Sequence, residues 1–265
     1  MKITALGTGS AFCLDNYQSN FLIENETENG EVKRMLFDCG GDIRWALKEQ
    51  GLSALDIDAV YISHLHADHI GGLECLAFVN YFVKTVKTGF RPTLYANKNV
   101  MKDIWKHALQ GGLSTLQNMS ATLNTFFRAL PVSNNKVFHF NGIEYKPIQT
   151  IHVVGDASFV HSYGLKFEIN GTKVFITSDT QFAPTQIIDF IRDSDVVFHD
   201  CETSPFASGV HAHYKKLIEL PEDVKAKMWL YHYQEMAMPD AQADGFRGFV
   251  QKGQVFDYSR KNTFK

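Results

Sequence analysis

Cysteine is scarce in this 265-residue sequence, and its four copies, Cys13, Cys39, Cys75 and Cys201, stand far apart with no Cys-x-x-Cys. That spacing excludes a zinc ribbon or a disulfide framework and predicts buried free thiols in a reducing compartment. An excess of one charge is also missing. Lys and Arg number 26 against 29 Asp and Glu, a net charge of −3 with no basic tail or block, so a surface that grips long nucleic acid through many phosphates is not expected. No apolar run is long enough to span a bilayer, so no membrane partner is expected. Met1 to Gly7 runs straight into a strand pattern, without the apolar core or cleavage site of a secretion signal. These absences predict a cytoplasmic protein. No linker and no repeat of fixed period divides the chain, which reads as one domain over residues 1–265. With 45% apolar and 21% charged residues, it can bury a large core.

Against this background one stretch stands out, Ile62-Ser63-His64-Leu65-His66-Ala67-Asp68-His69-Ile70-Gly71-Gly72. Four metal-binding side chains fall within six positions, as His-x-His-x-Asp-His. The run before it, Asp58 to Ile62, is short, apolar and partly β-branched, and reads as a buried strand. The run from Gly72 to about Lys84 carries no breaker and reads as a helix. The cluster therefore lies at the carboxyl end of a strand, in the turn into a helix, where open α/β sheets place their sites. Such a turn can aim several side chains at one point. Imidazole with carboxylate suits zinc or a similar first-row ion.

Other strands are predicted at Lys2–Leu6, Ser19–Glu24 and Lys33–Asp38. Gly7-Thr8-Gly9-Ser10-Ala11 resembles a phosphate loop only superficially, because no helix pattern follows, and it reads as a backbone turn. Asp42 is expected to cap a helix from Ile43 to Gln50, stopped by Gly51. Asp38 is either a support for the metal loop or a turn cap. Residues 97–130 read as a helical insertion of two helices interrupted by Gly111-Gly112, with apolar faces suited to core packing, a pocket wall or a dimer surface. Asn141-Gly142 and Asn170-Gly171 are hairpin turns. Beyond the motif, further donors stand at predicted strand ends: His152, Asp179 and His232. With His64, His66, Asp68 and His69 they make seven, enough for two metals with room for water.

The pattern His-x-His-x-Asp-His, a later His, an Asp and a final His resembles the metallo-β-lactamase fold superfamily, over nearly the whole chain. The resemblance implies an α/β fold, a four-layer αβ/βα sandwich of two mixed sheets flanked by helices. It further implies two divalent metal ions, zinc first and manganese second, one held by His64, His66 and His152 and the other by Asp68, His69 and His232, with Asp179 bridging. Two metals about 3.5–4 Å apart hold a bridging hydroxide and suit hydrolysis. The iron oxidoreductase branch resembles His-x-Glu-x-Asp, and His66 stands where that glutamate would be, so an oxidoreductase is not expected.

Within the superfamily, Gly7 to Ala11, Ser162-Tyr163-Gly164, Ser178-Asp179-Thr180 and His199-Asp200-Cys201-Glu202-Thr203 resemble the tRNase Z-like phosphodiesterase branch, the last in place of its His-Glu-Ala-Thr. There a further histidine protonates the leaving oxygen. His211 or His213 is its counterpart here, oriented by Asp200, so that Asp68, Asp200, His211 and His213 are the candidate catalytic residues. The long tRNA-gripping arm of that branch is missing, because Leu165 to Ser178 is filled by the Asn170-Gly171 hairpin. What remains resembles the arm-less cyclic-nucleotide phosphodiesterases, the phage anti-Pycsar enzymes among them. The resemblance implies hydrolysis of 3′,5′-cyclic mononucleotides, with cyclic pyrimidine defence signals such as cCMP and cUMP as candidates, to 5′-monophosphates by a metal-bridging hydroxide. It implies a small cyclic-nucleotide substrate, a homodimer and, for a phage protein, the host cytoplasm. A tRNase Z-like endonuclease or a thioester hydrolase is the alternative.

Overall fold

The apolar run Ala59–Ile62 ahead of the motif is buried at every position, as a strand covered on both faces must be. A computed structural model, describing residues 1–235 and 238–259, sets it in a seven-stranded sheet. In chain order the strands are β1 (Lys2–Gly7), β2 (Asn20–Glu26), β3 (Val32–Phe37), β4 (Ala59–Ile62) and β5 (Thr93–Asn97). A small hairpin, β6 (Thr115–Leu116) and β7 (Met119–Ser120), precedes β8 (Arg128–Val132). Then come β9 (Phe138–Phe140), β10 (Ile143–Val154), β11 (Phe159–Ile169), β12 (Thr172–Ile176), β13 (Val196–Asp200), β14 (Met228–Tyr231), β15 (Gly248–Phe249) and β16 (Val255–Asp257). One sheet has the order β16-β1-β2-β3-β4-β5-β8 and the other β15-β14-β13-β12-β11-β10-β9. Each passes from antiparallel pairs, β1 to β3 or β9 to β12, into parallel ones, β3-β4-β5-β8 or β12 to β15. The two sheets thus repeat one plan.

Three apolar clusters define the layers. Ile3, Phe21, Phe37 and Tyr61 of the first sheet pack against Tyr145, Leu165, Phe198 and Tyr231 of the second. The outer face of the first sheet, through Leu36, Val60 and Leu94, meets Leu47, Leu76 and Ile104 of its helices. The outer face of the second, through Phe175, Val197 and Leu230, meets Ile187, Ile191 and Leu217. The result is the expected four-layer αβ/βα sandwich. Among the described residues no helix is long and apolar enough to cross a membrane.

Local details refine the expectations. Both Asn-Gly hairpins form, with positive φ at both residues, 46° and 78° at Asn141-Gly142 and 48° and 81° at Asn170-Gly171, as tight turns that match strand twist require. Helix Ile43–Glu49 is present, but Asp42 makes no side-chain cap; its carboxylate instead accepts a hydrogen bond from the Gln18 backbone at 2.7 Å. The helix after the motif is Leu73–Asn80, continued through a π-turn to Thr88. Gly111-Gly112 does not break a helix either. It lies within Gln110–Leu113, the end of a helical run from Lys98. A side chain at Gly112 would place Cβ 2.1 Å from Oε2 of Glu74, the tip of an exposed side chain that can swing aside, so the glycine pair sits inside the helical run without stopping it. The second helix expected in this insertion is mostly the β6–β7 hairpin followed by one turn, Leu123–Phe126.

Candidate metal centre

The donors stand where backbone leaves strand geometry. β3 ends at Phe37 and Asp38 follows with φ 63°; β12 ends at Ile176 and Ser178, just before Asp179, has φ 56°; β14 ends at Tyr231 and His232 has φ 67°. Left-handed conformations at non-glycine residues are costly and persist only where surrounding contacts enforce them. Around His232 the contacts are visible: its N–H donates to the Thr8 carbonyl at 2.7 Å and Ser10 N donates to the Tyr233 carbonyl at 3.0 Å. The Gly7-to-Ala11 stretch is therefore a backbone clamp on a ligand strand, as a turn reading requires. In the motif, Ser63 and His64 follow β4, His66 is still extended, and Ala67–Ile70 forms one helical turn carrying Asp68 and His69. Gly40 lets that turn dock, since a Cβ there would lie 2.3 Å from the Asp68 carbonyl oxygen. His152 is carried on β10 within a register shift between Ile151 and Val154, the kind of bulge that re-aims a side chain.

All seven expected ligands converge. His64, His66, His152 and Asp179 form one group, and Asp68, His69, Asp179 and His232 a second, with donor atoms inside each group within 4.8 Å of one another. Asp179 belongs to both. Its Oδ2 lies 3.7 Å from His64 Nε2, 3.6 Å from His152 Nε2 and 3.3 Å from His69 Nε2, and its Oδ1 lies 3.5 Å from His232 Nε2. His66 Nδ1 and His152 Nε2 are 3.1 Å apart, and Asp68 Oδ2 is 3.3 Å from His232 Nε2. His64 Nε2, His69 Nε2 and Asp179 Oδ1 are buried without a hydrogen-bond partner. Buried polar atoms normally find partners, and lone pairs aimed at a common point are what a cation requires. The residues fit a divalent pair.

The surroundings fix the ligands' orientation. Asp38 accepts from Ser63 N at 2.8 Å, Ser63 Oγ at 2.7 Å and His69 Nδ1 at 2.7 Å, so its role is support of the metal loop. Nδ1 of His152 donates to the Val210 carbonyl at 2.8 Å, a backbone contact that no sequence pattern announces. Ser63 also bonds His64 Nδ1 at 3.0 Å, a supporting role that its place beside the motif does not by itself reveal.

The two candidate acids separate. His211 donates from Nδ1 to Asp200 Oδ2 at 2.8 Å and stacks on His232, with centroids 4.8 Å apart. Burial works to lower its pKa, but the charge and hydrogen bond of Asp200, helped by Asp179, outweigh it and push it up to about 10. His213 does not join the cluster. Its Nε2 donates to the Ser204 carbonyl at 2.9 Å, and its Nδ1 accepts from Lys215 N at 3.2 Å, capping helix Tyr214–Leu217.

A seven-donor cluster at the strand ends of an αβ/βα sandwich defines a metallo-β-lactamase fold protein. The solved structure of the metallo-β-lactamase fold protein YhfI from Bacillus subtilis superposes with a TM-score of 0.73 at 19% identity, covering 96% of this chain and 98% of that one. A family model described as "Anti-Pycsar protein Apyc1" matches residues 1–256, and the chain belongs to that family. Relatives bearing that name include one from Paenibacillus harenae, 35% identical with 88% of this chain and 90% of that one covered. Another is from Bacillus phage 010DV004, 32% identical with 97% and 98% covered.

Proposed function

We propose that this protein is a metal-dependent phosphodiesterase that opens 3′,5′-cyclic mononucleotides, cyclic pyrimidine signals such as cCMP and cUMP first among them, to 5′-monophosphates. The observation that carries the reading is the buried, shared Asp179 between two histidine-rich donor groups. His64, His66 and His152 would hold one cation, and Asp68, His69 and His232 the other, with zinc the best match to this donor set. When bound, such a pair supplies Lewis acidity that activates water and neutralises phosphate charge.

The chain's own groups do the rest. His211 carries a proton at neutral pH, and with Nδ1 engaged by Asp200 its Nε2 is left to deliver a proton to the departing O3′. Asp200 keeps the ring oriented and charged. Two features support a compact substrate over tRNA: β11 returns into β12 through Asn170-Gly171 with no arm between them, and the net charge of −3 offers no broad phosphate-binding surface. The family's name supports a role against a cyclic-nucleotide defence in the cytoplasm of a host cell, and a homodimer is the assembly we expect. Incubation with 3′,5′-cyclic mononucleotides, pre-tRNA and a thioester, followed by chromatography, tests the reading. It predicts the 5′-monophosphate; a predominant 3′-monophosphate, or cleaved thioester beside intact cyclic nucleotide, overturns it.

A further inference from the structure

β10 outruns its neighbour. Its ladder with β9 stops at Tyr145, and among the described residues the edge from Gln149 to His152, the end that carries the metal-facing histidine, has no strand beside it. Backbone groups on such an edge need other partners. Two glutamine side chains provide them. Oε1 of Gln186 accepts from Ile151 N at 3.1 Å while its Nε2 donates to the Gln149 carbonyl at 3.0 Å, so a single amide does the work of a neighbouring peptide group. Gln181 donates from Nε2 to the His152 carbonyl and from its backbone N–H to the Ile151 carbonyl, both at 2.6 Å. Thr180 Oγ1 adds a second donor to that Ile151 oxygen at 3.2 Å.

The same segment begins at Asp179, whose carbonyl is gripped from β10 and β11 by Thr150 Oγ1 at 3.1 Å and Ser162 Oγ at 3.0 Å. Residues 179–186 are therefore sewn to β10 from Gln149 to His152, up to and into the bulge that aims His152. Across this sewn region His152 Nε2 and Asp179 Oδ2 lie 3.6 Å apart.

We propose that Gln181 and Gln186 are positioning residues of the metal centre: their amides replace an absent edge strand and hold His152 in register with Asp179. The proposal rests on the two-metal reading above. The alternative is that the amides only close a sheet edge, and the two ideas differ in what bound metal does.

Chelator competition with zinc as the probe, and thermal midpoints with and without zinc, separate them. For Gln181→Ala and Gln186→Ala the expected result is zinc affinity at one of two sites reduced roughly 10- to 100-fold, with a smaller zinc-induced rise in midpoint than in the wild type, whatever the metal-free midpoint loses with the edge hydrogen bonds. Gln181→Glu should be worse than Gln181→Ala, because a carboxylate would face the His152 carbonyl without an N–H to offer. Gln181→Met, which keeps the volume and removes the donor, gives the same test if the alanine variant fails to fold. Wild-type zinc affinity in the variants, with metal-free and zinc-bound midpoints lowered equally, overturns the proposal alone. A wild-type chain that binds no zinc overturns the two-metal reading with it.

Discussion

Asp38 and His69 lie thirty-one residues apart in sequence, yet Nδ1 of His69 donates to Oδ2 of Asp38 at 2.7 Å, with both side chains 1% exposed. The bond fixes the tautomer that leaves Nε2 of His69 free for a cation, and Asp38 reaches it only through a left-handed backbone with φ 63°. Charge and conformation can be tested separately. Asp38→Ala should weaken metal binding roughly 10- to 100-fold. Asp38→Asn tolerates the same backbone but cannot accept at both oxygens, so it should recover folding more than metal affinity. Isothermal titration of both variants checks this; equal affinities for Asp38→Asn and wild type would remove the carboxylate from the centre.

Removing ligands should stop turnover without unfolding the chain. Protein purified without chelator should carry close to two transition-metal ions per chain. His66→Ala and Asp68→Ala should each abolish hydrolysis while circular dichroism stays native. Full activity with one ion or none refutes the two-metal arrangement.

His211 and His213, two positions apart, should give opposite phenotypes. His211→Ala should cost on the order of 10²–10⁴ in rate with a poor leaving group. His213→Ala should instead cost about 1 kcal/mol of stability through its lost cap and hydrogen bond, with turnover nearly intact. Rates and melting curves of the pair decide it, and a reversed pattern moves the acid to His213.

Acid should strip the two donor groups in a fixed order. Burial, with neighbouring histidines, holds His64 well below the ordinary histidine value and lowers His66; burial also lowers His152. Those rings are neutral at pH 7 and ready for a cation. Burial works on His69 in the same direction, but Asp179, Asp68 and Asp38 override it and raise His69 well above that value, so a proton must leave when metal arrives. The metal at Asp68, His69 and His232 should therefore dissociate first as pH falls, and its binding should release a proton measurable by titration in buffers of different ionisation enthalpy. For His64 the sign in the metal-free chain is explicit. The unfolded state takes up a proton below about 6.5 and the folded state resists it, so the stability it contributes is present above that pH and lost below it. Simultaneous loss of both metals contradicts the order.

Much of this was legible because ligand chemistry demands particular side chains at strand ends. The motif from His64 to His69 is dense enough to speak for itself, and Asp179 and His232 each follow an apolar strand, whereas His152 lies within β10, two residues before its end. The backbone that aims them was not legible. Nothing in Asp38, Ser178 or His232 advertises a left-handed φ, since the contacts enforcing it come from Thr8, Ser63 and others distant in sequence. The bulge at His152 and the glutamines beside it were hidden for the same reason. Asp42 and Gly111-Gly112 depart from the local rules for a cap and a helix stop, because the Asp42 carboxylate is taken by the distant Gln18 backbone and the glycine pair is carried inside a continuous helical run. His211 and His213 were indistinguishable until the chain's path set one ring on Asp200 and turned the other to Ser204.

The repeated plan of the two sheets has a consequence during synthesis. Asp68 and His69 belong to the first sheet's connections, while His152, Asp179 and His232 belong to the second. A ribosome adding roughly 5–20 residues per second needs about 10–30 s to travel from His69 to His232. Throughout that interval the nascent chain displays one half of a metal-binding cluster with nothing to complete it. Its imidazoles lack Asp179, the carboxylate common to both donor groups, until the second sheet has been made.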